Sequence, residues 1–469
     1  MIIWMRALLK ILLLLIVLAL VVGGGAWWWA GRAVGPRIEL RGPEKLIGQS
    51  STVELMVEAP DKRLDGVDVT VTVEQGGKSF PVFTLSTPEP GAVRQESADR
   101  LYIMRPVGKK AVPELQAGRA RITVRASRPV LYGLRRAEST VIRDVQVRLE
   151  PPRVAVLSTF HYVNHGGSEF VIYRAAPDDV QSGVRVGDKE YPGFPARGVG
   201  VTSDPSLRAA FFALLYDQDL ETPIQVYARD PAGNEASARV ESRVFPKPYA
   251  HSRIEIDEGF LQRVVPAIAS AAPDAKIPTE DLLAGFLEIN GALRRNNSEY
   301  IESLAKKTSP NLLFTDAFEQ LGNSQVEARF ADTRTYFYKG KEIDRQVHLG
   351  FDLAVTANVP VKAAQRGVVV HAGYLGIYGN CVVIDHGLGV QSLYGHLSSL
   401  DVNAGDMVTK GQTIGRSGMT GLASGDHLHF TMLVGGRPVT PVDWWSAQWM
   451  KDRVFRKIAD VGGSAPSSD

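Results

Sequence analysis

From Ile11 to Ala30 the chain runs for twenty residues without a charge, ILLLLIVLALVVGGGAWWWA. At 1.5 Å rise per residue a helix of that length spans about 30 Å, the hydrocarbon thickness of a bilayer. Arg6 and Lys10 precede the run and Trp27-Trp28-Trp29 closes it. Cations on one flank and an aromatic belt on the other predict a single-pass anchor in the cytoplasmic membrane, with its N-terminus in the cytoplasm. A cleaved signal peptide is the rival reading. Gly23-Gly24-Gly25-Ala26 is rich in small residues, but three tryptophans follow at once, which suits an interface better than a cleavage site. Either way the remainder is expected on the exported, periplasmic or extracellular side.

That compartment narrows the chemistry. The chain has 469 residues, a soft prior of about three domains. Cys381 is its one cysteine, so no intrachain disulfide and no thiolate-rich metal site can form. Any metal chemistry must use histidine and carboxylate. Lys plus Arg is 53 and Asp plus Glu is 51, a net charge of +2 that argues against a protein built to coat nucleic acid.

After the anchor (residues 1–35) the pattern is mainly β. Val67 to Val73 alternates without a break before the turn at Gly76-Gly77, and Val53, Leu55 and Val57 are spaced by two, with Met56 blurring the alternation. Further period-two runs at 120–126, 141–149 and 224–228 predict two β-sandwich modules, 36–150 and 151–247, meeting near Glu150-Pro151-Pro152. Val226-Tyr-Ala-Arg-Asp-Pro-Ala-Gly-Asn234 resembles the last hairpin of bacterial immunoglobulin-like domains. Residues 248–324 read as a helical linker. There Leu282, Leu283, Phe286 and Leu287 share one face behind a Thr279 N-cap, and a second helix falls near Tyr300–Lys307. Short glycine-rich strands return over 325–446, and 447–469 reads as a tail whose end, Gly462–Asp469, is expected to be disordered.

Five of the nine histidines need no special role. His161 and His165 are four apart but sit in β-rich sequence, and His251, His371 and His386 read as surface or strand residues. The other four form a constellation with one aspartate. In a strand, His427 and His429 point to one face while Leu428 packs behind. His348 and Asp352, bent around Gly350, can reach one metal together. Two histidines and a carboxylate with a water in the fourth position compose a hydrolytic zinc site. His396, after Tyr394-Gly395, supplies a further imidazole. One such group can deprotonate the water and another can donate to the developing oxyanion or leaving amine. Spacing alone does not say which of His427 and His429 holds the metal.

These motifs closely resemble the LytM/lysostaphin-type zinc endopeptidases, which cut peptide bonds in bacterial peptidoglycan. The match runs from about Arg329 to Trp444. It includes His348-x-Gly-x-Asp352, Tyr378-Gly-Asn380, Tyr394-Gly-His396, Gly415-x-Ser-Gly-x-Thr-Gly421 and Gly425-Asp-His-Leu-His-Phe430. The resemblance implies one Zn2+ per chain, bound by His348, Asp352 and His429. It implies His396 and His427 as catalytic histidines, Asn380 and Tyr394 as substrate contacts, and peptidoglycan peptide stems as substrate. Thr431 departs from the pattern, since many relatives place an acidic residue there. Two other readings stay open. One is a non-catalytic, peptidoglycan-binding regulator of cell-wall hydrolases. The other is a periplasmic adaptor, because Val402–Ile414 resembles a lipoyl-like hairpin. The helical segment before the catalytic domain is also placed to cover its cleft.

Overall fold

The computed structural model describes residues 2–60, 63–354 and 356–463. With 42% strand and 20% helix the chain is mainly β. It forms two compact units, Met1–Pro151 with Arg229–Glu235, and Pro152–Ala228 with Ala236–Asp469.

The first unit opens with the helix Ile2–Ala30. Its stretch Ala7–Ala30 is long and apolar enough to cross a membrane, and all but its end at Ala30 is exposed or half-exposed. Two sheets follow. One orders Arg37–Gly42, Thr52–Glu58, Arg100–Pro106 and Val93–Gln95; the other orders Leu46–Ile47, Arg135–Val147, Gly118–Val130, Asp68–Gln75 and Lys78–Thr84. The period-two residues explain why both sheets have one dry face. Val53, Leu55 and Val57 from the first sheet meet Val69, Val71, Val73, Ile122 and Val124 from the second in one core. Each such side chain contributes about 1.5–3 kcal/mol by leaving water. Met56, which blurred the alternation, faces outward, where its sulfur lies 3.9 Å from Arg41 Nη2.

In the second unit, one sheet is built on Ser168–Ala176 beside Leu207–Ala213, with seven Cα pairs in antiparallel register. The strand His251–Ile256 then pairs in parallel with Asp332–Tyr338, so the segment read as a helical linker begins as a strand. Helices Glu258–Ala271, Leu282–Glu288 and Arg294–Leu304 come next, the last two joined by a wide turn. The cap of the middle helix is Asp281 and not Thr279. Its carboxylate accepts from both Leu283 N (3.0 Å) and Ala284 N (3.1 Å), satisfying two amides that lack helical partners.

The sheet that carries the site runs Gln325–Ala328, Phe351–Ala354, His427–Val434, Val390–Leu397, Asn380–Asp385, Gly367–Tyr374 and Met407–Val408. His427–Val434 is buried at every position, as a central strand must be. Within Val402–Ile414, Met407–Val408 pairs with Gly367–Val368, while Thr413 pairs with Lys362. The two strand pieces therefore do not form a hairpin with each other. Residues 447–460, expected as part of a tail, are helical, and Met450, Val454 and Ile458 bury one face in the core. Of the expected disordered end, residues 464–469 lie outside the described residues.

Candidate metal centre and catalytic cleft

Register builds the site. In the pairing of Phe351–Ala354 with His427–Val434, Asp352 stands opposite His429 and Ala354 opposite His427. Directly opposed residues share a face, so the carboxylate and the imidazole meet with no loop to order. His348, at the end of the strand Lys341–His348, arrives through the turn at Gly350. A Cβ on Gly350 would lie 2.5 Å from the His429 ring and 2.6 Å from Thr431 Oγ1, so only glycine lets the turn pass.

Three atoms converge. His348 Nε2 lies 2.9 Å from Asp352 Oδ1 and 3.1 Å from His429 Nδ1, and the last two are 3.0 Å apart. The tautomers follow from the outer partners. His348 Nδ1 is 3.2 Å from Arg329 O and must donate to it. Thr431 Oγ1 gives its proton to Leu349 O (2.9 Å), so it accepts from His429 Nε2 (3.0 Å). Both imidazoles then aim bare lone pairs at each other and at a carboxylate. Three acceptors this close repel unless a cation sits between them. Zinc with ligands at about 2.0–2.1 Å sets tetrahedral donors ~3.3 Å apart, so the donor set fits.

His396 and His427 stand beside this group. Their Nδ1 atoms face Thr420 O (2.8 Å) and Gly425 O (2.9 Å), which turns both Nε2 atoms toward the cleft. Their rings are 4.8 Å apart, and His427 Nε2 lies 3.5 Å from Asp352 Oδ1. His396 adopts φ 65, a strained backbone for a non-glycine residue, of the kind that collects at functional sites. Burial opposes charge on Asp352, but His348, His427 and His429 together hold its carboxyl well below the usual range. Burial, with His427 and His429 adding to it, pushes His396 well down, and burial takes His429 to about 4. Against burial, Asp352 raises His427.

The cleft has a volume of about 700 Å3 and is lined by these five residues, by Arg334, Tyr336 and Tyr378, and on the helical side by Phe260, Arg263 and Arg294. Arg334 Nη2 holds Asp352 Oδ2 at 2.8 Å, leaving Oδ1 for a metal. No motif marks Arg334 in the sequence; its one signal is that it shares a strand face with Asp332 and Tyr336. Two expected substrate contacts are placed elsewhere. Tyr394 is buried, and its hydroxyl accepts from Ala364 N (2.7 Å), so it belongs to the core. Asn380 Nδ2 donates to Leu397 O (3.0 Å) and braces the strand end that bears His396. His386, expected at the surface or in a strand, is fully buried and tied to Arg366 O and Ser392 Oγ. His161 faces Ser158 and His165 faces Gln218 O, so they do not converge.

Residues 346–441, about a fifth of the chain and the stretch that carries this site, match Peptidase family M23. Two curated relatives are similar over this stretch. The DD-carboxypeptidase/endopeptidase Mpg of Neisseria meningitidis serogroup B is 42% identical over 97 residues, 21% of this chain and 22% of the relative. The peptidoglycan DD-endopeptidase ShyA of Vibrio cholerae is 45% identical over 92 residues, 20% of this chain and 21% of the relative. The chain thus spans about a fifth of the length of either. Among solved structures, a peptidase M23 from Pseudomonas aeruginosa aligns with 63% of this chain and 93% of its own, at 20% identity and a TM-score of 0.35. The catalytic domain of lysostaphin from Staphylococcus simulans aligns with 31% of this chain and 96% of its own, at 26% identity and a TM-score of 0.20.

Proposed function

We propose that this chain is a membrane-anchored, exported zinc endopeptidase that hydrolyses peptide cross-links of peptidoglycan. The observation that carries the reading is the meeting of His348 Nε2, Asp352 Oδ1 and His429 Nδ1 beside two further histidines in one cleft. The name of the Vibrio cholerae relative, a peptidoglycan DD-endopeptidase, supports peptidoglycan peptides as substrate.

His348, Asp352 and His429 would hold the metal, which when bound supplies a water of pKa near ~7 and polarises the scissile carbonyl. The protein's own groups do the rest. His396 and His427 each anchor Nδ1 on a backbone carbonyl, so each Nε2 can take a proton from the attacking water. Once protonated, the same Nε2–H donates to the developing oxyanion and then to the leaving amine. Arg334 holds Asp352 by Oδ2 and so turns Oδ1 toward the metal position. The β-modules between anchor and catalytic domain serve as spacers.

Mass spectrometry of muropeptides released from purified sacculi by the full chain tests this, with His396→Ala alongside. New peptide termini that vanish in the variant are expected. Their absence, with zinc bound, would favour the non-catalytic regulator.

One observation favours latency as a second reading. Arg263 on the helical side of the cleft donates to Ala423 O (3.1 Å) and Ser424 O (3.4 Å), in the loop leading to His427. If that contact restrains the cleft, Arg263→Ala raises turnover on sacculi; unchanged turnover leaves the helices as a plain wall.

A further inference from the structure

The hairpin joining Gly118–Val130 to Arg135–Val147 turns through residues that a turn should avoid. Leu131 (φ 51), Tyr132 (φ 55) and Gly133 (φ 87) are all left-handed. Asn and Gly fill such positions with little strain, whereas a bulky side chain is strained at each. Burial does not repay that cost within the chain, because Tyr132 is 103% and Leu134 72% exposed. Two large apolar side chains are thus held out on a strained tip.

The surroundings of the tip say what they meet. Arg135 Nη1 donates to Trp27 O (2.8 Å), and its guanidinium lies 5.2 Å from the Trp27 ring. Arg128 Nε donates to Val34 O (2.9 Å) just beyond the apolar helix. The tip therefore sits beside the tryptophan-bearing end of that helix, where an aromatic belt marks the lipid–water boundary. Tyrosine suits that boundary, with an apolar ring and a polar tip. Arg128, Arg135 and Arg136 flank it with positive charge, which anionic headgroups attract.

We propose that the Leu131–Leu134 tip is a second membrane contact. It inserts Tyr132 and Leu134 into the interface of the bilayer crossed by residues 11–30 and fixes the first β-module upright on it. The proposal rests on the reading of that helix as a membrane span.

The test uses the full chain in phosphatidylethanolamine/phosphatidylglycerol vesicles carrying brominated acyl chains. An environment-sensitive fluorophore is attached at Tyr132→Cys or, as a control, at Lys78→Cys. Lys78 is exposed beside the Gly76-Gly77 turn at the opposite end of the same sheet. Native Cys381 is fully buried and takes no label. The label at 132 is expected to shift to the blue and to be quenched roughly threefold more than the label at 78. Equal quenching in vesicles that retain the protein overturns the contact and leaves the span standing. Protein that does not float with vesicles at all overturns both.

Discussion

Thr431 carries more of the metal centre than its place in the sequence suggests. Its hydroxyl receives His429 Nε2–H and passes its own proton to Leu349 O, so it sets both the tautomer and the tilt of a ligand ring. Partners of this kind typically change metal affinity 10–100-fold when removed. Thr431→Val keeps the shape and deletes the relay, and zinc affinity measured by competition with a chelating dye should fall about tenfold or more. An unchanged affinity would show that ring packing alone orients His429. The sequence displayed the residues of the proposed metal site, because His427-x-His429 on a strand and His348-x-Gly-x-Asp352 at a turn each confine their side chains to one face. Thr431 stood out only as a departure from a pattern. Arg334 and the carbonyls of Thr420 and Gly425 were silent, since a backbone partner leaves no mark on residue identity. Tyr394 misled for the opposite reason: its neighbours in the motif face the cleft, but its hydroxyl is spent on Ala364 N.

Helix 447–460 shows at the scale of an element how a polar-looking stretch becomes structural. Met450, Val454 and Ile458 repeat every four residues, a stripe that aims one face inward. Lys457 follows them into the interior, where its Nζ donates to Glu169 Oε1 (2.9 Å) and Phe170 O (2.7 Å). Glu169 has no exposed surface and accepts from Tyr162 N and Phe170 N as well. Nothing local in the sequence announces that Lys457 is half of a buried pair 288 residues apart. Lys457→Met should take the nearer cation from buried Glu169 and leave it Arg453 Nε at 3.9 Å, lowering stability by about 3 kcal/mol in a denaturant titration of the second unit. Adding Glu169→Gln should return most of the loss; a single variant as stable as the parent would mean that water reaches Glu169. The N-cap at Asp281 makes a smaller version of the same point. By sequence Thr279 reads as the cap with Asp281 in the first turn, and the direction of the entering chain makes Asp281 the cap instead.

On the scale of the whole molecule, the second unit is joined through buried polar contacts whose charge depends on pH. Asn164 Nδ2 donates to Asp443 Oδ1 (2.8 Å), and burial pushes the Asp443 carboxyl up to about 6 from its ordinary 3.8. A folded-state pKa above the unfolded one favours the protonated form. Its contribution is complete below the unfolded value and is lost as pH rises through about 6. Asp443→Asn removes the titration. The variant should match the parent near pH ~4 and exceed it at neutral pH by up to ~3 kcal/mol, read as the difference between their denaturant midpoints across pH. A difference that does not change with pH would show that Asp443 stays ionised when folded. At this scale the sequence revealed the apolar span and the β-rich body, both of which follow from local pattern. It did not reveal that the strand His251–Ile256 joins Asp332–Tyr338, because parallel pairing across so many residues leaves no periodic trace.

The account rests on a metal held by His348, Asp352 and His429. Elemental analysis of the full chain purified in detergent, with Asp352→Ala treated identically, tests that directly. One zinc per chain in the parent and none in the variant is the expected result. Equal zinc in both would place the metal elsewhere and contradict the assignment of the site.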